Sequence, residues 1–131
     1  MSKKESHVYV IDADESVRGS LGKLLRSAGL KGTTFATVEE FLREPRQTRN
    51  CCLLVDIRMP GMTSLDFRCN LNERGMHMPI IAVSESDDAV VREQARQLGA
   101  ASFFRKPVDD HALLDAIWWA LSSEKRNGLQ S

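Results

Sequence analysis

The chain has 131 residues and an apolar fraction of 42%, which is enough for one domain with a hydrophobic core. Lys and Arg together number 18, as do Asp and Glu, so the formal charge is zero, which argues against a nucleic-acid-binding surface spread over the domain. The apolar runs are too short to cross a membrane, and Met1–Glu5 lacks the apolar stretch of a signal peptide. We therefore expect a cytoplasmic protein that binds neither nucleic acid nor membrane.

Short apolar strands alternate with helices along the chain. Five strands are predicted, at 8–11, 31–35, 51–55, 80–83 and 101–104. Five helices are predicted between and after them, at 16–28, 38–43, 65–74, 88–98 and 110–121. The residues that follow are polar and are expected to be frayed, which predicts a domain over 1–122 and a polar tail or linker over 123–131.

This alternation is typical of an α/β fold with a doubly wound, five-stranded parallel sheet and helices on both faces. The crossover connections are expected to be right-handed. The adjacent Cys51 and Cys52 are interpreted as two small residues on opposite faces of one strand rather than as a redox pair. An odd number of cysteines without metal-like spacing is typical of reduced thiols in a cytosolic protein.

Polar side chains stand where the predicted strands end. Asp12 follows the first strand, Asp56 the third and Ser84 the fourth, and the fifth strand leads to Lys106. Alone, such an aspartate is often a helix N-cap, such a serine a turn residue and such a lysine a solvated charge. Functional groups of parallel sheets gather beyond the carboxyl ends of the strands, so all four are expected at one edge. Together they suit phosphoryl transfer to a carboxylate.

Four stretches carry a family resemblance: "VYVIDADESVRGSL", "LLVDIRMPGMTSLDF", "PIIAVSESDD" and "ASFFRKPVDDHALLDAI". They resemble the motifs of response-regulator receiver domains, and most of all the branch that precedes helix-turn-helix DNA-binding modules. The resemblance covers residues 7 to about 121. It implies a flavodoxin-like sheet of strand order 2-1-3-4-5 and a signalling protein of two-component systems rather than an enzyme.

The resemblance also implies a role for each residue of the site. Asp56 takes the place of the phosphoacceptor, and Asp12 that of the first member of an acidic pair. Mg²⁺ would be held by these two carboxylates and by the backbone carbonyl of Arg58. Ser84 matches the switch hydroxyl, and Lys106 matches the family's lysine.

Further expectations concern the switch and the partners. Phe103 takes the place of the switch aromatic, which turns inward when phosphorylation by a histidine kinase reshapes the face formed by helix four, strand five and helix five. The bond between Lys106 and Pro107 is expected to be cis. A DNA-binding output domain beyond the C-terminus and a homodimer through the last helix are the other partners implied.

The sequence departs from the family pattern at the residue after Asp12 and at the residue after Ser84. Ala13 stands where the second acid would ligate Mg²⁺ directly, and its methyl group cannot coordinate. Asp14 could substitute by bending back. Glu85 follows the hydroxyl where a small residue is usual, and it would either repel phosphate or replace the missing ligand. A lesser departure is Ser64, where glycine is usual and where the start of the third helix would be altered.

Two alternatives stay open. The first is an atypical receiver that works as an interaction module without phosphorylation because the second acid is Ala13. The second is a phosphatase of the haloacid-dehalogenase type, with Asp12 as nucleophile, Asp14 as acid, and Ser84 and Lys106 in that family's later motifs. Against it, no hydrophobic strand ending in an acidic pair follows Lys106.

Two tryptophans lie together in the last predicted helix. At 100° per residue, Leu113, Ile117 and Leu121 share one face, Trp118 falls at its edge and Trp119 lies nearly opposite. We therefore expect the Trp119 ring to be largely exposed in an isolated subunit. Exposed single aromatics are common, but tryptophan is also enriched at interface hot spots.

Overall fold

The computed structural model describes residues 6–44 and 49–130, with side chains as far as Ser122. Strands and helices alternate throughout in the order β1 (His7–Ile11), α1 (Glu15–Ser27), β2 (Lys31–Phe35), α2 (Val38–Arg43), β3 (Cys51–Asp56), α3 (Ser64–Glu73), β4 (Ile80–Ser84), α4 (Ala89–Leu98), β5 (Ser102–Arg105) and α5 (Asp110–Gln130). The predicted strands and helices are all present, and their boundaries agree to within one residue except at the end of α5. Residues 1–5 and 131, at the outer ends of the predicted domain and tail, lie outside the described residues.

The five strands form one parallel sheet of order β2-β1-β3-β4-β5, which confirms the predicted topology. β1 lies beside β3 with Ile11 opposite Val55, and β3 lies beside β4 with Asp56 opposite Val83. The strands therefore end close to one another at the carboxyl edge.

Each face of the sheet carries its own hydrophobic core, because successive strand residues point to opposite faces. The helices α2, α3 and α4 cover the core that contains Tyr9, Ile11, Leu53, Val55, Phe41 and Phe67. The helices α1 and α5 cover the core that contains Val8, Val10, Leu54, Leu25, Leu113 and Ile117. Cys51 belongs to the first core and Cys52 to the second, as expected for two small residues on opposite faces.

The helix α5 is longer than the sequence predicted. Its backbone continues to Gln130, so the predicted end at Leu121 was wrong. Glu124, Lys125 and Arg126 are good helix formers. Because an existing helix is extended without a new nucleation step, polarity alone does not end it. The assignment of 123–131 as a tail or linker stays a prediction.

The helix phasing of the tryptophans is confirmed. Leu113, Ile117 and Leu121 are buried, whereas Trp119 is 65% exposed and Trp118 is 44% exposed. Over the part of the chain that the structure describes, no helix has both the length and the hydropathy needed to cross a membrane.

Candidate functional site

The carboxyl edge of the sheet places the two predicted aspartates side by side. Since Ile11 pairs with Val55, the next residue of each strand, Asp12 and Asp56, extends the same alignment. Asp12 is only 2% exposed, and the side chain of Asp56 is 14% exposed. Two carboxylates so close together and so little hydrated require a cation nearby.

Lys106 supplies that cation. Its Nζ atom lies 2.7 Å from Asp12 Oδ2 and 2.7 Å from Asp56 Oδ2, so one ammonium group bridges the two acids. Burial opposes the charge on Lys106, but the hydrogen bonds to Asp12 and Asp56 outweigh it and raise the pKa of this ammonium above its ordinary value. The peptide bond between Lys106 and Pro107 is cis, as expected.

The second oxygen of each carboxylate accepts a backbone hydrogen bond. The amide of Asp14 donates to Asp12 Oδ1 at 2.9 Å, and the amide of Arg58 donates to Asp56 Oδ1 at 2.8 Å. In both cases a backbone N–H of the loop that follows the strand donates to the carboxylate at the end of that strand. The Asp56 carboxylate is therefore held in place at the strand end and remains partly exposed.

Ser84 and Phe103 lie on the neighbouring strands. The Ser84 side chain is fully buried, its Oγ accepts a hydrogen bond from the Ser86 amide at 3.2 Å, and its carbonyl accepts one from the Lys106 amide at 2.7 Å. Phe103 is half-buried and packs against the core covered by α2, α3 and α4. Ser84 therefore adjoins the lysine through the backbone of β4, whereas Phe103 precedes it by three residues along the chain.

The donors fit a hard divalent cation, although one ligand of the family pattern is missing. A cavity of about 70 Å³ is lined by Asp12, Ala13, Asp56 and Arg58 among others, so the two carboxylates and the Arg58 residue meet at one space. Carboxylate and carbonyl oxygens are the ligands that Mg²⁺ prefers. Among the described residues, no group of three or more His, Cys, Asp or Glu residues could hold a metal ion.

The two side chains considered as replacement ligands are placed elsewhere. Asp14 is exposed and is the N-cap of α1, where its Oδ1 accepts from the amides of Ser16 at 2.8 Å and Val17 at 3.4 Å. Glu85 is exposed and lines a different, larger crevice of about 630 Å³ together with Lys106. The phosphatase alternative used Asp14 as its acid, but this carboxylate caps a helix.

Sequence reasoning missed Arg18. Its Nη1 atom donates a hydrogen bond of 2.7 Å to the carbonyl oxygen of Asp12, the residue that also supplies a carboxylate to the site. A signal was present, because Arg18 is the fourth residue of α1 and a cation in the first turn of a helix opposes the helix dipole. The dipole does not favour an arginine there, and the hydrogen bond to Asp12 is the interaction that the structure shows for its side chain.

Ser64 is the first residue of α3 and is 4% exposed. The helix begins normally, with Thr63 as its N-cap accepting from the Asp66 amide at 3.0 Å. Serine in place of glycine at this position is therefore compatible with an ordinary helix start.

Known proteins are similar to this chain over most of its length. The family model for the response regulator receiver domain matches residues 8–118. The transcriptional regulatory protein FixJ of Azorhizobium caulinodans is 38% identical over 123 residues, which are 94% of this chain and 58% of that protein. The chain thus spans little more than half the length of this relative.

Two solved structures give the same fold. The response regulator StyR is 35% identical with a TM-score of 0.84, over 97% of this chain and 64% of that one. The receiver domain of a sensor histidine kinase from Pseudomonas aeruginosa is 20% identical with a TM-score of 0.76, over 91% of this chain and 99% of that one. Its structure has a magnesium ion coordinated in the active-site cleft.

Proposed function

The chain belongs to the response regulator receiver domain family, and from that membership we propose that it accepts a phosphoryl group on Asp56 from a histidine kinase. The observation that carries the proposal is the Lys106 ammonium group, 2.7 Å from both Asp12 and Asp56 at the carboxyl edge of the sheet. This arrangement combines a nucleophilic carboxylate with a fixed positive charge beside it, which is what transfer of an anionic phosphoryl group needs.

Transfer would join a carboxylate oxygen of Asp56 to the phosphorus atom. The phosphorus–nitrogen bond to the kinase histidine breaks as the new phosphorus–oxygen bond forms, and its electron pair returns to the imidazole. The Lys106 ammonium can follow the charge from the carboxylate to the phosphoryl oxygens, because it already donates to Asp56 Oδ2. The buried Ser84 hydroxyl is the group expected to move toward the new phosphoryl oxygens.

A magnesium ion would be held by Asp12, Asp56 and the backbone carbonyl of Arg58, and when bound it supplies positive charge that offsets the charge of the phosphoryl group. Ala13 leaves this set one carboxylate short. The capping role of Asp14 and the position of Glu85 at the other crevice support the view that neither side chain makes up the deficit.

The output of the switch would be a change at Phe103 and at the surface formed by α4, β5 and α5. A DNA-binding output domain beyond the C-terminus of the receiver is the proposed target of this change, and the match to 58% of FixJ, a transcriptional regulatory protein, supports it. Phosphorylation would then control that domain in the cytoplasm.

Intact mass after incubation with acetyl phosphate and Mg²⁺ tests the proposal. We expect a gain of one phosphoryl group, which Asp56→Asn abolishes because an amide is a poor nucleophile. Asp66→Asn, an exposed aspartate in the first turn of α3, is the matched control and is expected to leave the gain unchanged.

Two results would contradict the assignment. A phosphoryl group mapped to another residue would remove Asp56 from its role. No adduct at saturating Mg²⁺ would favour the interaction module that works without phosphorylation, for which the replacement of the second acid by Ala13 is the supporting observation.

A further inference from the structure

The side chain of Arg18 folds back from α1 to the end of β1. Its Nη1 atom donates to the Asp12 carbonyl oxygen at 2.7 Å, and its own amide donates to the Asp14 carbonyl at 3.0 Å in the first turn of the helix. Arg18 therefore ties the start of α1 to the backbone of the residue that begins the acid loop, Asp12 to Asp14.

Every polar atom of Asp12 takes part in a hydrogen bond, and Arg18 is the partner of one of them. The Asp12 amide donates to the Phe35 carbonyl at 3.0 Å, and the two carboxylate oxygens accept from the Asp14 amide at 2.9 Å and Lys106 at 2.7 Å. The fourth polar atom, the Asp12 carbonyl oxygen, accepts from the Arg18 guanidinium. Because Asp12 is 2% exposed, its carbonyl is paired with the guanidinium rather than with bulk water in the folded protein.

We propose that Arg18 is a positioning residue for the acid site: it fixes the Asp12 backbone so that the carboxylate stays between the Asp14 amide and the Lys106 ammonium. The inference rests on the proposed function only where phosphorylation is the readout. Ala13, the residue between Asp12 and Asp14, offers no carboxylate to the guanidinium or to a metal ion, and the guanidinium contacts the loop at the Asp12 carbonyl.

A competing account treats Arg18 only as a positive charge near the cation site. The two accounts predict opposite changes in Mg²⁺ affinity when the Arg18 side chain is removed. If charge alone matters, Arg18→Met strengthens Mg²⁺ binding because a repelling cation is gone. If positioning matters, the same variant weakens Mg²⁺ binding because Asp12 is no longer held.

The experiment compares Arg18→Met, Arg18→Lys and the control Arg26→Met, which removes an exposed arginine from the last turn of the same helix. For Arg18→Met we expect Mg²⁺ affinity to fall about tenfold, in the range seen when groups that orient metal ligands are lost. The rate of phosphorylation by acetyl phosphate should fall about tenfold as well. Arg18→Lys keeps one donor and the charge, and it should recover most of both losses, while Arg26→Met changes neither.

A spectroscopic readout without metal or phosphodonor separates positioning from general destabilisation. The amide resonance of Asp14 reports its hydrogen bond to Asp12, and that of Arg58 reports the equivalent bond to Asp56. In Arg18→Met the Asp14 resonance should shift while the Arg58 resonance stays in place.

An unchanged Asp14 resonance, or Mg²⁺ binding that becomes tighter in Arg18→Met, would overturn the proposal. If the unaltered protein gains no phosphoryl group, the proposed function fails. The Asp14 resonance and the Mg²⁺ affinity still decide the role of Arg18 in that case.

Discussion

At the scale of single residues, the charge balance of the acid site decides how strongly it can bind a cation. Two carboxylates, Asp12 and Asp56, share the ammonium group of Lys106, so these three groups together carry one negative charge. A site with an acid at position 13 would carry one more. Since hard divalent cations are bound through anionic oxygens, Ala13 should make Mg²⁺ binding weaker than in a receiver with both acids.

Ala13→Asp should tighten Mg²⁺ binding by about tenfold or more, because it adds a charged oxygen ligand at the cavity that already contains Ala13. Isothermal titration measures the affinity. Ala13→Asn is the matched control, since it has the same shape without the charge and should gain less. If Ala13→Asp leaves the affinity unchanged, Asp14 or Glu85 already fills the ligand position and the account given for Ala13 is wrong.

At the scale of secondary structure, α1 rests on β2 through a glycine. A Cβ atom added at Gly32 would lie 2.7 Å from Leu25 Cδ1 and 3.5 Å from Leu25 Cβ. Leu25 is fully buried in the core covered by α1 and α5, so it has little room to turn away. The close approach of helix and strand therefore requires the absence of a side chain at position 32.

Gly32→Ala should lower the free energy of unfolding by about 1–3 kcal/mol, as overpacking of a core does. Gly19→Ala is the matched comparison, because a Cβ atom at this position of α1 meets nothing within 4 Å. It should raise the free energy of unfolding by about 0.5–1 kcal/mol through helix propensity. Urea denaturation measures both, and an equal gain in stability from the two substitutions would contradict the packing described for Leu25.

At the scale of the whole molecule, the last helix presents different surfaces to the core and to solvent. Ile117 and Leu121 are buried against the sheet, while the Trp119 ring, 65% exposed, lies on the outer side. Trp118 is less exposed and lines a crevice with Ser6, Gly29, Leu30 and Lys31. A homodimer through the last helix would thus cover Trp119 before it covered Trp118.

Trp119→Ala should weaken self-association by about tenfold or more if this dimer forms, because buried tryptophans carry much of the binding energy of interfaces. Sedimentation at several protein concentrations, with and without acetyl phosphate, measures the change. Trp118→Ala is the control and should have the smaller effect. Association that is identical in the two variants and in the unaltered protein would leave the Trp119 ring outside the interface.

The sequence by itself determined the fold and the members of the acid site. Apolar runs of strand length alternate with helical periodicity, and this pattern admits little besides a parallel sheet with helices on both faces. The carboxyl ends of parallel strands share one edge, so the positions of Asp12, Asp56 and Lys106 along the chain were enough to bring them together. The exposure of the Trp119 ring was likewise predicted from the helical repeat of 100° per residue.

Only the tertiary structure decided how polar groups divide their hydrogen bonds. Asp14 follows Ala13 directly and was a candidate ligand by spacing, yet its carboxylate caps α1. Arg18 was not singled out from the sequence, yet its guanidinium reaches the Asp12 carbonyl. Gly32 was not singled out either, yet it is the place where Leu25 packs. Periodicity and propensity describe one residue and its neighbours along the chain, whereas these choices depend on distances between segments that only the packed fold brings into contact.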